Sequence, residues 1–462
     1  MDVVRLVEAK VLSVTEKILK VLGDGIDFLN FEAQLKKELD NLGCELLKAV
    51  IEELDEQIFK SPERKRDWKS VHKEDEKEIL PPFGIVRYQR RYYRHKQTNE
   101  YRYLVDEKMG VRPHRRVDAN LKAELLEASS EMSYEGATLQ VSRHNVELKV
   151  SKQTVANYVK EFEAQKSPPP EEKRHVPELY VEADEDHVKI RGSKPKDARL
   201  IYVHEGVLDY PRRRLKNARY FTTVNKNPEE FWLEVCDYIE AHYDFLNIGQ
   251  VFLSGDGSSW IRAGLQYIPG SEFILDRYHL SEYITQSTAH APELRGQIYD
   301  GLRELDKQAV LGRLWEALGR ANEPSRQKRI REVIKYIERN WEGIEAQEKN
   351  PHVTCSAEGH VSHILAARLS SRPMAWSVTG AERMSAMRST RANGESIREH
   401  YLASQKPAPV IIELKQVVHE EIKRIRQKRL RGKEYRNNVP LFRGGSSHTR
   451  FALKELNKRS VV

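Results

Sequence analysis

The segment from residue 179 to residue 279 constrains the fold more than any other part of the chain, because its hydrophobic period switches repeatedly between two and about 3.6. "LYVEADEDHVKI", "ARLIYVHEGVL" and "ARYFTTV" read as three strands. "NPEEFWLEVCDYIEAHY" follows as an amphipathic helix whose Pro-Glu-Glu start suits a helix amino end. "QVFLSG" is a fourth strand, "DGSSWIRAGLQYI" a helix, and "SEFILD" a fifth strand leading into another helix. The resulting order is β-β-β-α-β-α-β-α, an α/β arrangement around a mixed five-stranded sheet.

This is the element order of the ribonuclease H-like fold, over residues 179–292. Element order alone does not license a function, so the carboxylates have to decide it. Cleavage of a phosphodiester by two metals needs carboxylates from distant parts of the chain to converge on ions about 4 Å apart. Strand one carries Glu182, Asp184 and Asp186 at a spacing of two, hence on one face. Such a face is costly to bury without cations, and is otherwise a solvated edge. Asp184 is the expected metal ligand, with Asp186 as its alternative. Asp256 follows strand four between Gly255 and Gly257, where small residues leave room for a metal and a phosphate and let the chain bend into a helix. A third carboxylate belongs on a helix beyond strand five; Glu358 in "CSAEGHVSHIL" qualifies, with Ser356 as its N-cap. Asp276 and His279 of "DRYH", together with His360, are expected around these ligands. His279, His360 and His363 also admit a zinc reading, but no HExxH pattern is present.

The flanking segments read as accessory regions. Residues 1–60 carry amphipathic helical periodicity, and a charged stretch, "KSPERKRDWKSVHKEDEKE", marks a boundary. Within 61–117, "GIVRYQRRYYRHKQTNEYRYLVDE" reads as a β-hairpin turning at "KQTNE". Its Arg90, Arg91 and Arg94 lie among tyrosines, a pattern that grips phosphates and stacks bases or merely solvates a hairpin face. Residues 118–165 read as helices around a short break. Ser151 is placed to cap the last of them, Val155, Val159 and Phe162 form its buried stripe, and Lys152, Gln153, Thr154 and Asn157 face outward. That is the layout of a helix-turn-helix recognition helix, or of a plain helical hairpin. The proline-rich 166–178 is a linker. Residues 293–350 read as a helical insertion, 351–410 as the end of the core bearing Glu358, and 411–462 as a basic tail.

Composition agrees with this division. The chain has 462 residues, enough for two or three domains. Lys and Arg number 78 against 70 Asp and Glu, a net +8 that leans toward a polyanion. Cys44, Cys236 and Cys355 form no CxxC pair, which speaks against a disulfide framework and for a reducing cytoplasm. No apolar run approaches the ~20 residues of a membrane span.

The strings "EADEDHVKIR", "LSGDGSSWI", "FILDRYHL", "CSAEGHVSHILAARLSSRPMAWS" and "NGESI" resemble those of ISLre-type insertion-sequence transposases and, more remotely, of Mutator-type DDE transposases. Asp184 stands five residues before Lys189, as in the D-x-x-x-V-K strand of the latter. Asp256 matches the second aspartate, Asp276 and His279 match the C/D-x-x-H signature, and Glu358 best matches the closing glutamate. The resemblance implies two Mg²⁺ or Mn²⁺ ions, cleavage of double-stranded DNA at element ends, joining to target DNA, and a homo-oligomer on the DNA, close to the nucleoid. A ribonuclease H-like nuclease without strand transfer and a transposase-derived DNA-binding regulator are the rival expectations.

Overall fold

The computed structural model describes residues 9, 11–16, 28–145, 147–164, 168–209 and 213–405. The basic tail expected over 411–462 lies outside the described residues, as does most of 1–27. The chain divides into two compact units, one drawn from Met1–Asp118 and the other comprising Ala119–Gln405.

In the first unit one long helix, α1 (Phe28–Lys60), is followed by α2 (Pro62–Asp67), whose start is fixed by Ser61 accepting from the Arg64 N–H. Strands β1 (Trp68–Ile79), β2 (Val86–His95) and β3 (Tyr101–Arg102) form a sheet in that order, and α3 (Leu104–Met109) closes the unit. The hairpin turn at "KQTNE" is present, but β3 is only two residues long. The main partner of β2 is β1, which lies in the charged stretch expected to be a boundary. That strand has almost no apolar signal of its own, since only Ile79 of its residues is buried and β2 supplies its ladder. Ile51 and Leu54 of α1 pack with Ile79, Val86, Tyr88 and Val105.

The second unit opens with α4 (Ala119–Glu131), α5 (Tyr134–His144) and α6 (Lys152–Lys160). Its sheet is built from β4 (Glu178–Val188), β5 (Lys196–His204), β8 (Arg219–Thr223), β9 (Gln250–Gly255) and β10 (Ser271–Leu275); β6 (Val207–Leu208) and β7 (Arg214–Leu215) form a separate ribbon. The order is β10-β9-β4-β5-β8, with β4–β9 and β9–β10 parallel and β4–β5 and β5–β8 antiparallel. Counted along the chain, the five strands lie in space as 5-4-1-2-3. The connecting helices are α7 (Pro228–His242), which starts on an Asn227/Glu230 capping box, and the short α8 (Ser259–Arg262) and α9 (Gly264–Tyr267) in place of the single helix expected there. The linker is not wholly free either: Arg174 bridges to Tyr243 and pairs with Glu205 at 2.8 Å, and Pro177 accepts from the Gln250 N–H.

After β10 come α10 (Arg277–Ser287), α11 (Glu293–Arg303), α12 (Lys307–Arg320), α13 (Pro324–Arg339) and α14 (Trp341–Lys349). Then follow α15 (Ala357–Val361), a π-helical turn over Ser362–Ala366, α16 (Ala367–Leu369), α17 (Val378–Ala392) and α18 (Ile397–Ser404). Ile298, Val310, Leu314, Ile334 and Trp341 of the insertion share one buried core with Val181, Leu253 and Trp232, so the insertion belongs to the body of this unit. Strand β4 divides its faces cleanly. Leu179, Val181 and Ala183 enter that core, and the alternate face carries buried Glu182 and Asp184. No described helix is long and apolar enough to cross a membrane.

Candidate metal centre

The register of the sheet explains how two aspartates meet. The parallel β4–β9 ladder ends at Glu182 opposite Ser254, so Asp184 and Asp256 each stand two residues beyond the last pair, where the strands part. Gly255 cannot carry a side chain, because a Cβ there would lie 2.8 Å from the Ala183 carbonyl oxygen. Gly257 has φ +84, and a Cβ would lie 2.6 Å from Asn340 Oδ1. The glycines around Asp256 therefore serve close packing of backbone and Asn340, a role the sequence reading did not include. Asp256 Oδ1 accepts from the Ser258 N–H at 2.8 Å, and its carbonyl accepts from the Tyr336 hydroxyl of α13 at 2.7 Å.

Asp184 is only 6% exposed. Its Oδ1 accepts from the Glu185 N–H at 2.8 Å, while Oδ2 is buried with no hydrogen-bond partner. Burial drives its carboxyl up to about 7; the charges of Asp256 and Glu358 add to the rise, and the Glu185 N–H and His279 oppose it. A carboxylate oxygen buried without a donor is a costly group that a cation would satisfy.

His279 lies in the first turn of α10. Asp276, the N-cap of that helix, accepts from the Tyr278 N–H through Oδ1 and holds His279 Nδ1 through Oδ2 at 2.7 Å. The Asp276 hydrogen bond raises the imidazole to about 9 against the opposing effect of burial. With Nδ1 so engaged, Nε2 turns to Glu358, 4.0 Å from its Oε2. Ligand atoms of Asp184, His279 and Glu358 all lie within 4.8 Å of one another, and they are the group of metal-capable side chains that converges this way among the described residues. Asp256 is outside that triplet, yet its charge acts on both Asp184 and His279. His279, expected around the ligands, thus stands with them, and Asp276 is the residue that orients it.

Glu358 owes its position to a residue that sequence reasoning placed only on an acidic face. Buried Glu182 accepts from the Ser356 N–H at 2.6 Å, pairs with His204 Nε2 at 2.9 Å, and accepts from the Tyr202 hydroxyl. Burial alone would raise its carboxyl; the His204 hydrogen bond and charge, with Tyr202 and Ser356, reverse this and hold it low. Ser356 is not a side-chain cap: its hydroxyl bonds Tyr202 and Glu182 instead of a helical N–H. Glu182 therefore tethers the start of α15 to β4, two residues before Asp184 on the same face. The signal available in sequence was the spacing of Glu182 from Asp184; the partners His204 and Tyr202 sit on β5 and carry no local signature.

Other expected residues fall elsewhere. Asp186 is not part of the converging triplet. His360 packs its ring on Tyr202 and Tyr220, with centroids 4.7 and 5.4 Å away, and burial lowers its pKa. It does not join His279 in a zinc set, because the aromatic side of β5 and β8 holds it. In the first unit Arg90 pairs with Asp106 and stacks on Tyr103, and Arg91 reaches Asp55 at 2.6 Å and also Glu56. Both arginines are thus neutralised inside the unit and are not offered to phosphates; the tyrosine-rich strand needs them to satisfy buried acids. Arg94 is half-buried between Lys69 on β1 and Tyr101 on β3. On α6, Ser151 caps by accepting from the Thr154 N–H, Val155, Val159 and Phe162 are buried, and Lys152, Gln153 and Asn157 are exposed, with Gln153 bonded to Asn157 at 3.1 Å and Thr154 bonded to Ser151.

The sequence profile of a family described as "Uncharacterised protein family (UPF0236)" matches residues 21–406. UPF0236 protein TTE2489 of Caldanaerobacter subterraneus subsp. tengcongensis is 37% identical over 395 residues, 84% of each chain. A further relative from that organism, 37% identical over 393 residues and covering 84% of this chain and 82% of its own, has a name that strings together many locus designations. The UPF0236 protein in the vanSb 3′ region of Streptococcus gallolyticus is 22% identical over 398 residues, 83% of this chain and 87% of its own.

Proposed function

The chain belongs to the UPF0236 family, and from that premise and the site on β4 we propose that it is the DNA transposase of an insertion sequence, of the ISLre type and DDE chemistry. The observation that carries this is the convergence of Asp184, His279 and Glu358, drawn from three remote parts of the chain, with a buried Asp184 oxygen that has no donor. The 5-4-1-2-3 sheet supports a ribonuclease H-like core, since its first and fourth strands bring Asp184 and Asp256 side by side. The many paralogues of the family in one organism fit an element that copies itself.

The donor set fits a divalent cation. Carboxylates from Asp184, Asp256 and Glu358 suit Mg²⁺, and the added imidazole of His279 is equally acceptable to Mn²⁺. When bound, a pair of such ions would activate water, and later a 3′-hydroxyl, and stabilise the leaving oxygen. The chain's own residues do the positioning. Asp276 fixes the His279 ring, Glu182 fixes the helix of Glu358, and Tyr336 holds the backbone of Asp256. The exposed Lys152, Gln153 and Asn157 of α6 are assigned to recognition of element ends.

Asp256→Asn tests the proposal. It is expected to keep DNA binding and to abolish Mg²⁺-dependent nicking of DNA carrying the element ends. Undiminished nicking removes Asp256 from the site. Nicking without joining of pre-cut ends to target DNA favours a plain nuclease, and binding with neither favours a regulator.

A further inference from the structure

Helix α13 has two faces of different chemistry. Ile330, Val333, Ile334 and Ile337 are buried in the shared core, at most 3% exposed. The remaining surface carries exposed Lys328, Arg329, Arg331, Lys335 and Arg339 against two exposed acids, Glu332 and Glu338, so it is net positive. Among the described residues, none of these five has a carboxylate within 4.0 Å; on this helix only Arg326 does, with Glu323. Cations nearby are treated differently. Arg303 pairs with Asp300, Arg313 with Glu316, and Arg320 with both Glu293 and Glu316. A helix that leaves five cations unpaired, with only two acids on its own exposed surface, keeps net positive charge available for something outside the chain.

Its placement says where that charge is directed. Tyr336 donates to the Asp256 carbonyl at 2.7 Å, and Asn340, directly after the helix, abuts Gly257. Tyr336 also meets Tyr283 of α10 edge-on, with centroids 4.8 Å apart. Arg329 lies seven residues before Tyr336, so it is on the same flank of the helix, about 10 Å away along the axis. Its charge also reaches Tyr283. Lys328 and Lys335 occupy the adjoining solvent face, likewise seven residues apart.

We propose that α13 is the DNA-backbone track of the catalytic unit, with Arg329, Lys328 and Lys335 gripping phosphates of double-stranded DNA beside the strand whose phosphate lies at Asp256. This deepens the transposase reading and rests on it for the position of the reacting phosphate. It also moves the electrostatic grip away from the β-hairpin, whose Arg90 and Arg91 are neutralised internally.

The test uses the full chain and a fluorescein-labelled 30-bp duplex of arbitrary sequence, because phosphate contacts do not read sequence. Binding is followed by anisotropy from 50 to 200 mM KCl. The triple variant Lys328→Gln/Arg329→Gln/Lys335→Gln is expected to flatten the slope of log K against log salt by about 2–3 and to weaken binding at 100 mM at least tenfold. A control, Arg303→Gln/Arg313→Gln/Arg320→Gln, removes the same charge from paired positions and is expected to leave the slope in place. An unchanged slope in the first variant, or an equal loss in the control, overturns the proposal, as does tighter binding of an RNA duplex of the same length. Mn²⁺ binding by the wild-type protein, measured separately by electron paramagnetic resonance, separates the two readings. Loss of slope with no Mn²⁺ bound sustains the track and defeats the metal site; Mn²⁺ bound with an unchanged slope does the reverse.

Discussion

Replacing Asp184 by Asn should make the metal-free protein more stable near neutral pH. The Asp184 carboxyl titrates at about 7 in the folded chain, against an ordinary value of 3.8. Between those two values the folded state holds a proton that the unfolded state has released, so stability falls as pH rises through that window. The difference is about 3 pH units, which at 1.36 kcal/mol each sets a ceiling of about 4 kcal/mol at pH 8. An asparagine has no charge to bury, so Asp184→Asn should recover on the order of 2–4 kcal/mol there, less the cost of placing its amide. For a unit of this size that is a rise of several degrees in Tm. The assay is thermal unfolding at pH 8 in chelator, then in Mn²⁺ or Mg²⁺. Saturating metal at about 100 times Kd adds roughly 2.7 kcal/mol to the wild type by mass action and nothing to a variant lacking the ligand. The gap between the two proteins should therefore close or invert. A variant that is less stable than wild type in chelator at pH 8 would refute the reasoning, because desolvation of a carboxylate would then not dominate the site.

Three further outcomes follow from the same geometry. Glu182→Ala should cost about 3–5 kcal/mol by stranding buried His204 and should weaken Mn²⁺ binding tenfold or more, whereas Glu182→Gln, which can still accept from the Ser356 N–H, should retain part of both; denaturant unfolding and Mn²⁺ titration check this. Arg91→Gln should lower stability by about 3 kcal/mol through the unpaired Asp55 while leaving DNA affinity and its salt slope alone, as read by unfolding and anisotropy. Gly257→Ala should destabilise by about 1–3 kcal/mol, from the strain of a positive φ and the clash with Asn340, and a neutral result in urea unfolding would show that the turn relaxes freely.

The five-stranded sheet was legible because its strands obey simple periods. Val251, Phe252 and Leu253 form a continuous apolar run because β9 is covered on both faces, and Glu182, Asp184 and Asp186 share a face because strands repeat every two residues. The β1 strand was not legible, since its charged residues are held by pairing with β2 and not by burial. The same limit separates the site residues that local context can single out from the cations whose partners it cannot show. Asp184, Asp256 and Glu358 could be named from local context, since Asp184 alternates with apolar residues inside a strand, Asp256 follows a strand and Glu358 starts a helix. What each of the arginines does depends on acids far away in sequence: Asp55 lies 36 residues from Arg91 and Asp106 lies 16 from Arg90.

That dependence also explains why the cations of the hairpin and of α13 differ in their pairing. A lone sequence reports how many cations a segment carries, but not how many are already spent on internal partners. In the hairpin the tyrosine-rich strand β2 buries Tyr88 and Tyr93 against α1, which draws Asp55 into the same interior and requires Arg91 beside it. On α13 the buried stripe is purely aliphatic and draws in no acid, so its cations stay on the surface. On the proposed function, unpaired charge on α13, not charge density along the chain, is therefore the feature that should govern DNA affinity and its salt dependence.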